Sequence, residues 1–273
     1  MQASLRWTAP GGTLGTICHE AEARAALLEA RADELEREAS AAPAGPSLAS
    51  ALRGADVRLI AEVKRRSPSK GAIAPALDAA DQARAYVDGG AAAISVLTEP
   101  AHFGGSTSDL LAVRSGVAVP ALKKDFHVLP IQLVEARALG ASAALLIARA
   151  LSPDRLREMT DTARRLDLEV LVEVRDEAEL ERAIECGATL IGVNNRNLET
   201  LVIDPATAER LIPRIPPGLV AIAESGVSTR EDVERYARCG ADAVLVGSSI
   251  SAAPDPTQAT RALAGVPRRS RGD

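Results

Sequence analysis

The scarce side chains of this sequence fall where chemistry could use them. The stretch Ala61 to Gly71, AEVKRRSPSKG, leaves an apolar run and turns abruptly charged. Glu62 and Lys64 stand two apart, so on a strand they share a face. An inward opposite-charge pair at a strand end is costly to desolvate and more often catalytic than decorative. Arg66, Ser67, Ser69 and Lys70 follow, a cationic, hydroxyl-rich loop suited to holding an anion. Later apolar runs end on Lys123-Lys124, on Glu173, on Asn194 with Arg196, on Glu224-Ser225-Gly226 and on Gly247-Ser248-Ser249. Brought to one mouth, these supply lysines, carboxylates and small phosphate-compatible loops, the parts of an acid/base site for a phosphorylated small molecule.

Residue usage supports that focus. Of 32 basic residues only Lys64, Lys70, Lys123 and Lys124 are lysine, and the rest are arginine. Lysine, unlike arginine, can lose its proton when buried and so serve as acid or base. The asparagines Asn194, Asn195 and Asn197 share one segment, and the two phenylalanines, Phe103 and Phe126, lie just after apolar runs.

The elements that must position these groups are legible as alternation. Eight short apolar runs are Arg58–Val63, Ala92–Leu97, Val119–Leu122, Ala143–Ala148, Leu168–Val174, Thr189–Val193, Leu219–Ala223 and Ala243–Val246. Helical segments such as Ser152–Leu166 and Asp176–Cys186 lie between them. A Gly-Ala pair recurs at 90–91, 140–141, 187–188 and 240–241, where glycine can end a helix in the left-handed conformation before the next strand. Runs that are apolar throughout suit parallel strands covered by helices. Eight such units predict a (β/α)8 TIM barrel of the α/β class, whose working residues stand at the C-terminal strand ends. A doubly wound open sheet is the alternative, but it would normally carry GxGxxG after its first strand, and none is present.

Before the barrel, residues 1–19 read as an irregular arm and Glu20 to Ala41 as an extra N-terminal helix ended by Pro43-Ala44-Gly45-Pro46. The expected division is a covering arm and helix over 1–50, a catalytic barrel over 51–265 and a flexible tail over 266–273.

Composition sets the remaining bounds. A hydrophobic share of 47% with 25% charged residues is that of a globular chain with a full core. A net charge of −5 argues against a sequence-independent nucleic-acid surface. No apolar run could span a bilayer, and the N-terminal MQASLRWTAP lacks a signal pattern, so the expectation is a cytoplasmic protein without a membrane partner. Cys18, Cys186 and Cys239 form no CxxC, and His19, His102 and His127 show no metal-ligand spacing. Free thiols, no metal and no cofactor are expected, with a monomer as the assembly and a dimer as the alternative.

Each candidate has a structural alternative. Inward barrel charges can simply pair in the interior. Lys123 and Lys124 must face opposite ways, so one would be a solvated neighbour. Glu99 reads as a loop carboxylate, Asn195 and Asn197 as turn formers, and Gly247-Ser248-Ser249 as a helix cap. The functional reading of the last group is a phosphate site after the seventh and eighth strands, with Ser225 and Gly226, and with Arg66 and Ser67 closing over it.

Taken together, AEVKRRSPSKG, AISVLTE with HFGGS, KKDF, LVEV, GVNNRNLETL, AESGV and LVGSS occur in the order found in indole-3-glycerol phosphate synthases. The resemblance covers about Ala61 to Ser249. It implies closure of the pyrrole ring of 1-(2-carboxyphenylamino)-1-deoxyribulose 5-phosphate, with loss of carbon dioxide and water, in tryptophan biosynthesis. It implies Lys124 as the general acid on the substrate ketone, and Glu173 with Lys64 as acid/base groups for the dehydration. Glu62 would orient Lys64, Asn194 and Glu224 would be the substrate-hydroxyl and lysine-positioning groups, and Arg196 would meet the substrate carboxylate. Phe103 and Phe126 would pack on the anthranilate ring. Ser225 would touch the substrate, and Arg66, Ser67, Gly226, Gly247 and Ser248 its phosphate. Lys70 is left as a solvated loop charge. Sister phosphate barrels such as phosphoribosylanthranilate isomerase, and a silent phosphate-ligand binder, are the competing readings. The first would want a Cys and an Asp as its acid/base pair, and the second would have lost the acids that stand here.

Overall fold

In a computed structural model, which describes residues 7–271, the eight apolar runs form eight parallel strands closed into one barrel. They are β1 (Arg58–Val63), β2 (Ala93–Leu97), β3 (Ala121–Lys124), β4 (Ala143–Ile147), β5 (Glu169–Val174), β6 (Leu190–Asn194), β7 (Val220–Glu224) and β8 (Ala243–Val246). Neighbours in sequence are neighbours in the sheet, and β8 closes on β1 with Arg58 opposite Ala243 and Ala61 opposite Val246. Helices cover the outer face and side chains fill the inside, so almost every strand residue is buried and the runs need no polar alternation. Gly90, Gly140, Gly187 and Gly240 all take positive φ, which is the left-handed helix exit the Gly-Ala pairs suggested.

The third strand departs from expectation. It starts at Ala121, two residues later than the apolar run, and takes in both lysines. Pro120 has no N–H to give a ladder. Lys123 and Lys124 pair with Val96 and Leu97 of β2, and carboxylates balance their charge, half-buried Glu135 for Lys123 and buried Glu224 for Lys124.

The N-terminal region is more helical than expected. Instead of one helix from Glu20, there is α1 (Gly12–Glu29), a break at Ala30-Arg31, α2 (Ala32–Ala41) and a short α3 (Leu48–Ala51). Helix α2 packs on the helix Ile131–Ala138 through Leu35, Ala39, Ile131 and Val134. Residues 1–6 of the expected arm lie outside the described residues.

The tail is bound as far as Arg271, contrary to the flexible segment expected from 266. Asp56 bridges Pro267, Arg268 donates to Asp242, and Arg271 donates to Asp242 Oδ2 at 2.7 Å and to the Gly240 carbonyl at 2.6 Å. Asp242 is a buried carboxylate that needs cations, and the tail supplies them. Among the described residues no helix is long and apolar enough to cross a membrane.

Candidate active site

The C-terminal ends of the strands converge on one cavity of about 260 Å³. Its floor is charged, one wall is apolar and the opposite rim is polar, so it can hold a flat ring at one side and an anion at the other.

Lys124 stands at the floor. On β3 it points inward while Lys123, its neighbour, points outward. Its Nζ lies 2.7 Å from Glu224 Oε2 and 3.3 Å from Glu173 Oε2. Burial alone would lower the pKa of this ammonium, but Glu224, Glu173 and Glu62 outweigh it and hold the pKa above the ordinary value. Burial pushes the Glu224 carboxyl up to about 7, against the pull of Lys124 and with the help of Glu173. The direction that follows for the cluster is a lysine kept charged, because two carboxylates face one ammonium.

Glu62 is buried and pairs with Lys64, as their spacing on β1 suggested. Asn194 at the end of β6 donates to Glu173 Oε1 at 2.6 Å, and its own Oδ1 accepts from the Arg196 amide at 2.9 Å. Glu173 is therefore fixed from two sides. Arg196 lines the cavity half-buried, its Nη1 donating to the Leu201 carbonyl at 3.0 Å, and desolvation lowers its pKa. Among the described residues no carboxylate pairs with it, which leaves a cation facing the cavity.

Two glycines make room for the acids. A methyl group on Gly192 would overlap Glu224 Oε1 and lie 3.1 Å from the carboxyl carbon. One on Gly247 would lie 3.3 Å from both Cβ and Cδ of Glu62. Gly247 was singled out as a phosphate contact; its bare Cα also lets Glu62 sit inward. Gly192 was missed, and its only signal was a glycine inside a strand.

The apolar wall contains both phenylalanines, with ring centroids 6.1 Å apart and planes tilted by 36°. Leu14 and Ile17 of α1, and Leu198, Leu201 and Ile203 after β6, complete it. None of these five was foreseen, because α1 begins in glycine-rich text and the segment after β6 has no strand or helix pattern.

The polar rim is formed by Ser67, Ser69, Lys70, Ser225, Gly226, Gly247 and Ser248. Arg66 is not among the lining residues. Arg66 and Ser67 pair with Gly71 and Ala72 in a small hairpin, and adjacent strand residues face opposite ways. Ser67 turns in and is buried, so Arg66 turns out and packs its stem by Gly104. Lys70, read as a solvated loop charge, is indeed exposed, but it also lines the cavity and is the cation of this loop that does so. Ser225 holds φ at 64° and Gly226 at 83°. The Ser225 carbonyl accepts from Asn195 Nδ2 at 3.0 Å, and the same amide reaches Tyr236 Oη at 2.9 Å. Asn195 is thus a buried brace for the strained turn rather than a turn former of its own, whereas Asn197 Oδ1 does accept from Glu199 and Thr200 amides. Gly247 gives the short turn Ser248–Ser251 no side-chain cap, so its first amides stay open to a ligand.

Lys123 is not a solvated neighbour. It is 1% exposed and lies 3.1 Å from Glu135, 3.3 Å from His127 Nε2 and 3.8 Å from Asp125. Burial and the adjacent Lys123 hold His127 down to about 3, so its ring is neutral. Glu20, Glu99 and His102 bring possible ligand atoms within 4.8 Å of one another. The oxygens of Glu99 already accept from the amides of Ala101, His102 and Phe103, which makes Glu99 a helix cap and leaves little for a metal.

Known proteins give the same picture. Two solved structures share the fold at 18% identity. The 3-hexulose-6-phosphate synthase of Salmonella typhimurium aligns over 76% of this chain and 96% of its own with a TM-score of 0.61. The thiamine phosphate pyrophosphorylase of Pyrococcus furiosus aligns over 76% and 93% with a TM-score of 0.58. Curated relatives are far nearer. The indole-3-glycerol phosphate synthase of a Nocardioides species is 54% identical over 215 residues, 79% of this chain and 83% of its own. Indole-3-glycerol phosphate synthase 1 of Streptomyces coelicolor is 51% identical over 245 residues, 89% of each. The family described as indole-3-glycerol phosphate synthase matches residues 14–263, and with such relatives beside it the chain belongs to that family.

Proposed function

We propose that this barrel converts 1-(2-carboxyphenylamino)-1-deoxyribulose 5-phosphate to indole-3-glycerol phosphate, carbon dioxide and water, with Lys124 as the general acid of ring closure. The observation that carries the reading is the ammonium of Lys124, held 2.7 Å from Glu224 and 3.3 Å from Glu173 beside an apolar slot. In the first step the ring carbon bearing the carboxylate attacks the ketone carbon. Lys124 gives its proton to the oxygen as negative charge develops there. The attack leaves an iminium in the former ring, an electron sink into which the carboxylate's bonding pair collapses as carbon dioxide departs. No cofactor is needed for that step.

The hydroxyl formed in closure then leaves as water. Glu173 and Lys64 are the acid and base of this dehydration, with Glu62 aiming Lys64 and Asn194 aiming Glu173. Phe103 and Phe126 grip the anthranilate ring, and Arg196 faces its carboxylate until decarboxylation. The phosphate sits on the polar rim, on Ser67, Lys70, Ser225, Gly226, Gly247 and Ser248. Lys70 takes the place first given to Arg66. Lys70 and Arg196, which line the cavity and pair with no carboxylate among the described residues, suit a substrate bearing both phosphate and carboxylate.

Purified protein given this substrate should release carbon dioxide and develop indole fluorescence. Lys124→Ala should lower kcat by about 10² or more while the fold survives. Normal turnover by that variant would remove Lys124 from the role.

A further inference from the structure

We propose that Arg24, on the N-terminal helix α1, is a positioning residue that sets the spacing of the aromatic slot by gripping the two carboxylates that hold its phenylalanines. The inference rests on the reading of Phe103 and Phe126 as the ring slot.

Each phenylalanine is anchored at its backbone by a different acid. The Phe103 amide donates to Glu99 Oε2 at 3.0 Å, within the cap Glu99 places on the short helix Pro100–Phe103. The Phe126 amide donates to Asp125 Oδ1 at 2.8 Å. Glu99 stands near the start of the segment after β2 and Asp125 opens the segment after β3, so the two halves of the slot stand on separate loops. Arg24 spans them. Its Nη2 lies 2.8 Å from Asp125 Oδ1, and its Nη1 lies 3.5 Å from Glu99 Oε1. Glu99 is 0% exposed and Asp125 is 7% exposed, so neither can turn to water if the guanidinium leaves.

The same face of α1 reinforces the grip. Glu20, one turn earlier, pairs with His102 at 2.7 Å, next to Phe103 in the short helix. Thr98 Oγ1 holds the other oxygen of Asp125 at 2.7 Å. Arg24 does not line the cavity, so any effect it has on substrate must pass through the loops it joins. A planar fork can reach both acids together, whereas the single ammonium of a lysine cannot match it.

The test is steady-state kinetics on the full chain with Arg24→Lys, Arg24→Met, Phe103→Ala, Phe126→Ala and the double variant Arg24→Met/Phe103→Ala, all measured well below their melting temperatures. KM should rise in the order wild type, Arg24→Lys, Arg24→Met, reaching about tenfold, with kcat within twofold. The double variant should be little worse than Phe103→Ala alone, because both changes act on one slot. If Arg24→Met does not fold, the Arg24→Lys rise in KM carries the test. Unchanged KM in the foldable Arg24 variants, beside raised KM in the phenylalanine variants, overturns the clamp alone. Unchanged KM in the phenylalanine variants overturns the slot reading beneath it. A loss carried by kcat, or strict additivity, also overturns the proposal.

Discussion

Gly192→Ala offers a sharp test of how the floor is built. Gly192 is buried in β6, opposite Glu173 on β5 and Ile222 on β7. Its missing side chain leaves the space that the Glu224 carboxylate occupies, with the carboxyl carbon 3.1 Å from where a methyl would stand. Restoring ordinary contact requires the carboxylate to retreat by roughly an ångström. The Lys124–Glu224 hydrogen bond, 2.7 Å now, would then stretch to roughly 3.7 Å, beyond useful length. Misplacement of that size at a reacting centre costs about 10² in rate, or about 2.7 kcal/mol of barrier. Overpacking a barrel strand should cost a further ~1–3 kcal/mol of stability. The assays are kcat from carbon dioxide release and a thermal melt followed by circular dichroism. Gly218→Ala is the control, since a methyl there meets nothing within 4 Å. If Gly192→Ala kept kcat within threefold of wild type while melting earlier, the glycine would serve packing alone, and the link to Lys124 would be wrong.

Three further outcomes follow from named groups. Lys70→Ala should raise KM about tenfold and weaken inorganic phosphate inhibition, whereas Arg66→Ala, pointing away from the cavity, should change neither by more than twofold; the reverse ranking would restore Arg66 as the phosphate cation. Burial and Asp176 raise Glu179 to about 7 from 4.5, so the folded state holds its proton more tightly than the unfolded chain and stability falls as pH rises between those values. Glu179→Gln removes that loss, so its melting temperature relative to wild type should climb from pH 4 to pH 8, by up to about 3 kcal/mol in free energy; a flat difference would show that the acid is not buried at a cost. Arg271→Met should destabilise the chain by about 2–4 kcal/mol by stripping a cation from buried Asp242, and an unchanged melting temperature would mean that Arg268 alone suffices.

How much of this was legible beforehand depended on whether the cause was local. Seven strands could be placed to within a residue or so, because a parallel strand buried on both faces must be apolar, and β2, β4, β6 and β8 also follow a glycine of positive φ. The eighth case, β3, failed at its end because two lysines read as polar until their carboxylate partners were known. The floor residues Glu62, Lys64, Glu173, Asn194 and Glu224 could be named from strand ends alone, since the barrel brings all such ends together, whereas the choice of Lys124 over Lys123 rested on the family resemblance. The swap between Arg66 and Lys70 could not, because it turns on a two-residue hairpin that no pattern announced. Leu14 and Ile17 were hidden for another reason. They reach the cavity only because α1 crosses the mouth, a tertiary fact without a local signature.

One strand shows why chemistry and scaffold are hard to separate here. Adjacent residues of a strand face opposite ways, so Lys123-Lys124-Asp125 divides its charges between two networks. Lys124 goes inward to Glu224 and Glu173. Lys123 goes outward to Glu135, while Asp125, just past the strand end and lining the cavity, takes Thr98 Oγ1 and, from outside the barrel, Arg24 of α1. Burial would raise the Asp125 carboxyl, but Lys123, the Thr98 hydroxyl and Arg24 outweigh it and hold it below the ordinary carboxylate range. Replacing Asp125 by alanine would therefore leave Lys123 and Arg24 short of a partner in a buried place and free the Phe126 amide at once. Asp125 itself lines the cavity, so the change would be felt there both directly and through the backbone that Lys124 and Phe126 share.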